Sequence, residues 1–175
     1  MSPLPDPLTD LEQRVLAAVD ATGASYEVIE IDPDHADTAV FCERYGYPPE
    51  TSGNCILVAS RSEQPVLAAC LALATTKLDV NKRVRKLLGV RKLSFAPAEL
   101  TREATGMEIG GVTPFGLPST QPHLDAPLPL YLDARIGELE RVIVGGGSRR
   151  LKLSVAPTAL TAIGGELVED LALPM

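Results

Sequence analysis

Residues 107–118 read MEIGGVTPFGLP, a stretch that places three glycines and two prolines around a short apolar segment. Gly110 and Gly111 let another chain or a ligand approach the backbone N–H groups closely, because glycine carries no Cβ. Pro114 and Pro118 fix φ and remove donors, so the remaining amides point in set directions. The stretch therefore predicts a rigid loop that can hold a carbonyl or a phosphate on bare backbone. A tight connection between two strands is the simpler interpretation.

Residues 141–153, RVIVGGGSRRLKL, read as a buried strand, a glycine turn with basic flanks and a second strand. Consecutive glycines after an apolar strand favour an anion-binding turn, and arginines can supply fixed charge. The turn is not a nucleotide fingerprint, since a P-loop needs Gly-Lys-Ser/Thr before a helix and a dinucleotide fold needs Gly-x-Gly-x-x-Gly. A plain hairpin is the alternative. The candidate ligand contacts are Gly145, Gly146, Gly147, Ser148 and Arg149.

Residues 74–89 predict an amphipathic helix with a basic outer face. Asp79 can cap its N-terminus, Gly89 can end it, and the apolar positions between them share one face: Val80, Val84, Leu87 and Leu88. From Lys77 to Lys92 there are seven Lys or Arg residues against one acidic residue, in a chain of net charge −7. This contrast indicates either an ordinary solvated helix face or a surface for an anionic partner, with Lys77 as a candidate phosphate contact.

Taken in order, the three segments resemble the YbaK/prolyl-tRNA synthetase-associated domain family, whose members include free-standing deacylases that hydrolyse mischarged aminoacyl-tRNA. The resemblance runs from about Tyr26 to Leu171. Residues 110–116 look like the family's Gly-x-x-x-Pro substrate loop, residues 78–89 like the helix before it, and residues 144–147 like its late glycine turn. The resemblance implies an α+β domain with a mixed, largely antiparallel, curled and barrel-like sheet, and a substrate pocket between sheet and helices.

The chemistry that the resemblance implies needs no Ser-His-Asp set, because an aminoacyl ester is already activated. A deacylase has chiefly to orient the carbonyl, stabilise the oxyanion with backbone N–H groups and place a water. We expect the catalytic contacts to come from Gly110, Gly111, Val112 and Thr113, and further substrate contacts from Pro114, Phe115 and Gly116. The Thr113 hydroxyl can bond the substrate or the water, or it can instead satisfy local backbone.

One position departs from the family pattern. The family's deacylases usually carry a lysine at the start of the apolar strand after the early helix, where it contacts the nucleotide end of the substrate. Asn54 occupies that position in the segment SGNCILV, residues 52–58. Asparagine offers hydrogen bonds but no charge to a phosphate, so Lys77 or Arg149 would have to supply the cation.

The departure at Asn54 motivates a second hypothesis besides the deacylase. It is a non-catalytic module that binds tRNA, a nucleotide or a protein with the retained pocket, and the acidity of the chain suits a protein partner. A third hypothesis is hydrolysis of a small ester or amide unrelated to tRNA.

The cysteines and histidines give little support to metal or thiol chemistry. Three cysteines without Cys-x-x-Cys spacing and two histidines elsewhere do not form a ligand set, so we expect neither a metal nor a cofactor. Cys55 is the one cysteine near the presumed site. Its place in an apolar strand is more typical of a small core residue than of a nucleophile.

Length and composition indicate a single domain, residues 1–175, of a cytoplasmic protein. The 45% of hydrophobic residues supplies a core, and no apolar run is long enough to span a bilayer. The first ten residues are proline-rich and acidic, unlike a signal peptide. Trp is absent, so the aromatic platforms that read single-stranded RNA are not evident. The resemblance implies the 3′ end of an aminoacyl-tRNA and an aminoacyl-tRNA synthetase as partners, and we expect no membrane and no DNA.

Periodicity and turn signals predict the remaining elements. A capping box of Thr9 and Glu12 begins the first helix, and Gly23 ends it. Further helices are predicted from Asp37 or Thr38 to Gly46, and over residues 97–105 and 157–163. Strands are predicted over residues 26–31, 54–59, 66–74, 92–95, 128–133, 141–144 and 150–155, the second and third as antiparallel neighbours. Residues 125–135, rich in Pro and Asp, read as a connection across a sheet edge or as a partner surface.

Overall fold

The first helix, α1 (Asp10–Asp20), begins with the capping box that the sequence predicts. The Thr9 hydroxyl accepts from the Glu12 amide, and the Glu12 carboxylate accepts from the Thr9 amide, which satisfies donors that a helix start leaves free. The computed structural model describes residues 4–175. In it α1 ends at Asp20, and the chain turns away at the predicted Gly23, which has φ 74° and whose amide donates to the Asp20 carbonyl at 3.1 Å.

The other elements follow the predicted order with small shifts at their ends. The remaining helices are α2 (Thr38–Tyr45), α3 (Arg85–Leu88), α4 (Ala98–Thr105) and α5 (Pro157–Ala162). The strands are β1 (Tyr26–Glu30), β2 (Gly53–Ser60), β3 (Leu67–Leu73), β4 (Thr76–Leu78), β5 (Leu93–Phe95), β6 (Leu130–Asp133), β7 (Val142–Gly145), β8 (Leu151–Val155), β9 (Glu166–Val168) and β10 (Ala172–Pro174). Sequence analysis did not predict β4, β9 and β10, since three residues are too few to show a period.

The described strands form three sheets, in the orders β5-β2-β3-β6-β9, β1-β8-β7 and β10-β4. The predicted neighbours β2 and β3 are antiparallel, with Gly53 opposite Leu73, whereas β6 lies parallel to both β3 and β9. An isolated bridge between Ser52 and Ile143 joins the start of β2 to β7. This α+β class with mixed, largely antiparallel sheets is confirmed. The five-stranded sheet is curled but open.

Strand β3 lies between two packed layers. Every residue from Leu67 to Leu73 is buried. Leu71 and its alternate neighbours face the main core beneath α1 and β8, while Cys70 and its alternate neighbours face a second core that contains Val80 and Val84. Burial on both faces explains why this strand reads as a continuous apolar run rather than as an alternation.

The basic helix forms with a different first turn. Residues 80–84 make a π-helical turn that continues into α3, and Asp79 caps it by accepting from the Lys82 amide at 3.3 Å. Val84 is fully buried, and Gly89 ends the helix in the left-handed region with φ 66°. The predicted cap, apolar face and stop are therefore confirmed.

Residues 125–135 do not cross a sheet edge as the sequence suggested. Strand β6 enters the middle of the five-stranded sheet, between β3 and β9, and all four of its residues are buried. The proline-rich residues before it bring the chain to that place. Within residues 4–175, no helix is long and apolar enough to cross a membrane.

Candidate active site

Residues 107–118, here called the Gly110 loop, follow α4. Side chains of an arginine and a lysine from another segment hydrogen-bond to the backbone of this loop. The Gly111 amide donates to the Glu108 carbonyl at 2.8 Å, which makes a tight turn with Gly110 at φ 96°. Arg149 Nη1 donates to the Ile109 carbonyl at 2.8 Å, and Lys152 Nζ donates to the Gly110 carbonyl at 3.3 Å. The conformation of the loop is thus fixed on both sides of Gly110.

Both cationic side chains come from the hairpin of β7 and β8, here called the glycine hairpin (residues 142–155). Its strands pair antiparallel, with Gly145 opposite Lys152, so the simple hairpin interpretation of this segment is confirmed. The Gly147 amide donates to the Gly111 carbonyl at 2.8 Å. A Cβ on Gly111 would lie 2.6 Å from the Ser148 carbonyl carbon, and one on Gly145 would lie 2.3 Å from the Val112 oxygen. The glycines are therefore needed because two backbones pack directly on each other.

A cavity of about 410 Å³ opens between the Gly110 loop, the start of α2 and the start of β2. Its walls are residues 36–40, residues 53–56, three residues of the Gly110 loop and two of the glycine hairpin, namely Ile109, Gly110, Val112, Gly145 and Lys152. A smaller lobe of about 230 Å³ also has Ile56 in its wall and is lined mainly by apolar groups that include Leu57, Phe95 and Ala96. The two spaces share residues of β2 and of the loop, so they form one cleft.

Several hydrogen-bond donors face this cleft without a partner in the protein. Among residues 4–175, no acceptor takes the amide hydrogens of Gly110 and Val112. The Thr38 hydroxyl donates to Asn54 Oδ1, which leaves the amide hydrogens of Asn54 for a ligand. The Gly111 amide is already used within the turn. The cavity is therefore a set of fixed neutral donors suited to the oxygens of a ligand.

Lys152 adds a buried cation to this wall, and sequence analysis missed it. Only 6% of the residue is exposed; Nζ also donates to the Ala36 carbonyl at 2.8 Å and lies 5.5 Å from the centre of the Phe41 ring. Burial, together with the charge of Arg149, lowers the pKa of Lys152 to about 8, and Asp37 and Cys42 offset part of that shift.

The sequence offered no signal for this burial. Alternation along β8 predicts that Lys152 points away from the core that holds Leu151 and Leu153, and it does. The face on which it lies is covered by α2, with Phe41 and Ile143 in a separate small core. The packing of α2 and of the Gly110 loop turns an outward lysine into a buried one.

Other predicted site residues lie away from the cavity wall. Thr113 and Phe115 are fully buried, and the Thr113 hydroxyl accepts from the Phe115 amide at 3.4 Å, so the local-backbone alternative for Thr113 fits the structure. Phe115 belongs to the main core. The remaining predicted contacts of the two glycine segments that do not line the cavity are Gly111, Pro114, Gly116, Gly146, Gly147, Ser148 and Arg149. Gly146 and Gly147 are buried, and Ser148 is half-buried, in the turn of the glycine hairpin, where the Gly147 amide bonds the Gly110 loop.

The two candidate phosphate contacts are placed differently. Arg149 lies beside the Gly110 loop. Its Nε donates a hydrogen bond to the Pro33 carbonyl at 3.2 Å, in addition to the bond from Nη1 to the Ile109 carbonyl. Lys77 is exposed on β4 opposite Leu173, in a different cleft with the C-terminal residues. The structure therefore brings Arg149, and not Lys77, to the Gly110 loop.

Thiol chemistry finds no support at this site. Burial and the neighbouring Cys70 raise the pKa of the Cys55 thiol far above its usual range, so the thiolate that would act as a nucleophile is disfavoured. No group of three or more His, Cys, Asp or Glu side chains within residues 4–175 is arranged to hold a metal ion.

The chain belongs to the aminoacyl-tRNA editing domain family, whose model matches residues 32–163. This confirms the resemblance to YbaK-like domains. The chain is 28% identical, over 77% of its length and 79% of the relative, to the uncharacterised protein YwhH of Bacillus subtilis.

Two solved structures are similar over nearly their whole length. One is of a proposed trans-editing enzyme for prolyl-tRNA synthetase, with a TM-score of 0.75 and 25% identity over 96% of this chain and 99% of that one. The other is of hypothetical protein APE2540, with a TM-score of 0.77 and 21% identity over 91% and 99% of the two chains, a likeness that shows the fold alone.

Proposed function

We propose that this protein is a trans-editing deacylase that hydrolyses the ester of a misacylated tRNA. The observation that carries the proposal is the pair of unpartnered amides, of Gly110 and Val112, on the wall of a cavity in an aminoacyl-tRNA editing domain. Backbone N–H groups that are fixed before the substrate arrives are what an ester carbonyl needs as it becomes an oxyanion.

The hairpin contacts set the direction of these amides. The N–H of a trans peptide points opposite to its C=O. Because Arg149 holds the Ile109 carbonyl, the Gly110 amide points away from Arg149. Because Lys152 holds the Gly110 carbonyl, the Gly111 amide points to the other side, where it bonds Glu108. In our proposal the Gly110 and Val112 amides bind the ester carbonyl, and a ribose hydroxyl of the substrate helps to place the attacking water.

The two parts of the cleft would divide the substrate between them. The apolar lobe of about 230 Å³ would take the amino acid side chain, which fits a residue of small or medium size. The larger part would take the terminal ribose, with the amide of Asn54 as a neutral hydrogen-bond donor at the position of the family's usual lysine. Arg149, beside the loop, would contact the terminal phosphate.

The tRNA body would dock on the basic segment (residues 77–92), the most cationic part of an acidic chain. Lys82 and Lys86 on its helix are exposed and free to meet phosphates. The proposed activity of a structural relative, trans-editing for prolyl-tRNA synthetase, supports association with a synthetase.

Single-turnover deacylation of a panel of misacylated tRNAs tests the proposal. We expect one aminoacyl ester, or a few related ones, to be hydrolysed faster than in buffer, and a chelator to leave the rate unchanged. A Gly111→Val variant should lose this activity, because its side chain would collide with the Ser148 backbone. No hydrolysis of any ester, with tRNA binding retained, would reject the deacylase.

The alternative function is a binding module that kept the pocket, and Asn54 is the observation that favours it. Asn54→Lys distinguishes the two functions. A gain of hydrolysis by a variant of an inert parent would support the binding module. An active parent that is slowed by the substitution would show that Asn54, held by Thr38, is part of a working enzyme.

A further inference from the structure

Lys152 is the one lysine that lines the cavity among residues 4–175, and it comes from a different strand than Asn54. The family's lysine position is on β2, whereas Lys152 is on β8, in another sheet. The two strands come together because the Ser52–Ile143 bridge holds the start of β2 against β7, and Gly145 of β7 pairs with Lys152. A positive charge is thus present in this cavity although position 54 lacks it.

The ammonium group of Lys152 has capacity left for a ligand. It carries three N–H donors, of which one bonds the Ala36 carbonyl and one the Gly110 carbonyl. These two acceptors belong to opposite walls, the approach to α2 and the Gly110 loop. Among residues 4–175 the third donor has no acceptor, and Lys152 lines the cavity. Since the residue is 6% exposed, it can meet a single small oxygen rather than a hydrated phosphate.

We propose that Lys152 is the cationic donor of the deacylation site: it ties the Gly110 loop to the start of α2 and gives its third N–H to the carbonyl oxygen of the aminoacyl ester. This assignment rests on the proposed deacylase function. It replaces the cation that is missing at Asn54 on β2 with one on β8, and this cation acts on the ester and not on the nucleotide end. The electrostatic attraction of a buried cation is stronger because water is excluded. The attraction is therefore largest for the oxygen on which negative charge develops in the transition state.

The step leaves Lys152 chemically unchanged. The oxygen of a water bonds the ester carbonyl carbon, and an electron pair moves onto the carbonyl oxygen, where Lys152 and the amides of Gly110 and Val112 stabilise it. The pair returns as the bond to the ribose oxygen breaks. The amino acid leaves with the water oxygen in its carboxylate. One proton of that water passes to the ribose oxygen, and the other is released to solvent. Lys152 keeps its protons throughout, so it must be charged for the reaction to be fast.

Because the reaction requires a charged Lys152, the pH dependence of the wild-type rate tests the proposal directly. Because burial and Arg149 lower the pKa of Lys152 to about 8, the group loses its charge within an accessible pH range. The groups that face it are Arg149 on the hairpin turn, and Asp37 and Cys42 at α2. We expect the single-turnover rate, divided by the spontaneous rate in the same buffer, to fall as pH rises from about 7 to 9.5. A ratio that stays constant or rises over this range would overturn the proposal.

The substrate's α-amino group also titrates near this pH, so a variant has to be compared on the same substrate. Lys152→Met should lower the saturating single-turnover rate by about 100-fold or more, leave half-saturation by tRNA within a few-fold, and lack the high-pH fall that depends on Lys152. If the variant hydrolyses the ester as fast as the wild type, or if the two proteins have the same pH dependence, the role of Lys152 is rejected.

Amine rescue guards against a variant that is merely misfolded. Lys152→Ala should regain part of its activity in methylammonium chloride and none in sodium chloride of the same ionic strength, because only the amine supplies N–H donors in the vacated space. A folded Lys152→Ala protein, by thermal melting, that methylammonium does not rescue would count against the donor role. If the wild-type protein hydrolyses no ester in the panel, the proposed function and this role are rejected together. If the wild type is active and the Lys152 variants hydrolyse the ester at the same rate, only this role is rejected.

Discussion

The walls of the cavity and the basic segment use the same kinds of residues in opposite ways. In the cavity, Lys152 is buried and bonded to two carbonyls, and Arg149 is bonded to two more. In the basic segment, Lys82 and Lys86 are exposed, so their charges are concentrated in one region but no bond holds the side chains in one position. A lysine that the protein desolvates therefore positions backbone, whereas a lysine that water surrounds gives only long-range attraction.

Gly110→Ala should give the largest effect and break the cavity side of this comparison. Gly110 has φ 96°, and an added Cβ would lie 2.3 Å from Arg149 Nη1, so the loop would lose both its backbone conformation and its arginine bond. We expect the single-turnover rate to fall by about 100-fold or more, because the amide no longer points at the carbonyl.

Gly164→Ala is the matched control for this substitution. Gly164 has a similar φ of 94°, but no atom lies within 4 Å of its added Cβ and it is outside the cavity wall. Both variants should lose roughly 1–3 kcal/mol of stability through backbone strain, measured by denaturant unfolding, and only Gly110→Ala should lose activity. Equal activities of the two variants would contradict the assignment of the loop.

Glu12→Gln should have an intermediate effect, on the support behind the cavity. Glu12 is fully buried at the start of α1 and bonds Arg150 at 2.8 Å, which anchors the glycine hairpin to the helix. We expect a loss of about 1–3 kcal/mol of unfolding free energy at pH 7. The control Glu99→Gln, at the exposed first turn of α4, should change stability by less than about 0.5 kcal/mol.

The pH dependence of this contribution has a definite sign. Burial alone would raise the pKa of Glu12, but the bonds to Arg150 and Thr9 bring it below the usual value of 4.5. A lowered folded pKa means that the stabilisation is present above pH 4.5 and is lost as the pH falls through the folded value. The stabilities of wild type and Glu12→Gln should therefore converge in acid. A difference that stays constant down to that range would show that Glu12 does not act through its charge.

Neutralising the basic segment should give the smallest effect and sharpen the other side of the comparison. The double variant Lys82→Gln/Lys86→Gln should weaken tRNA binding several-fold and reduce the slope of log K against log salt by roughly one unit for each lost phosphate contact. Arg102→Gln, an exposed cation on α4, is the control and should keep the slope of the wild type. If the salt dependence of the double variant equals that of the wild type, the tRNA contacts a different surface.

The local elements of this fold were largely predictable because each depends on nearby residues. The Thr9–Glu12 box, the Asp79 cap and the Gly89 stop are all contacts or conformations within one helix. The β2–β3 hairpin followed from two apolar runs and a polar connection. The position of β6 was not predictable, since parallel pairing with β3 and β9 depends on strands distant in the chain.

The candidate site was predictable only in part. Gly110, Val112, Asn54 and Gly145 do meet at one cavity, as their motifs suggested. Thr113 and Phe115 lie in the core, although they belong to the same motif, because a loop with one face on a ligand must bury the other. Motif membership identifies the segment and does not say which of its atoms face the ligand.

The family, the order of the main elements and the two glycine segments could be read from the amino acids alone, because they follow from local pattern and from residues without a Cβ. That the glycines of the hairpin serve backbone packing against the Gly110 loop became visible only in the folded chain. The same holds for Lys152 as a buried cation, since its desolvation comes from α2 and the Gly110 loop, neither of which adjoins it in the chain. Burial and charge of a side chain depend on what covers it, and that is a property of the packed molecule.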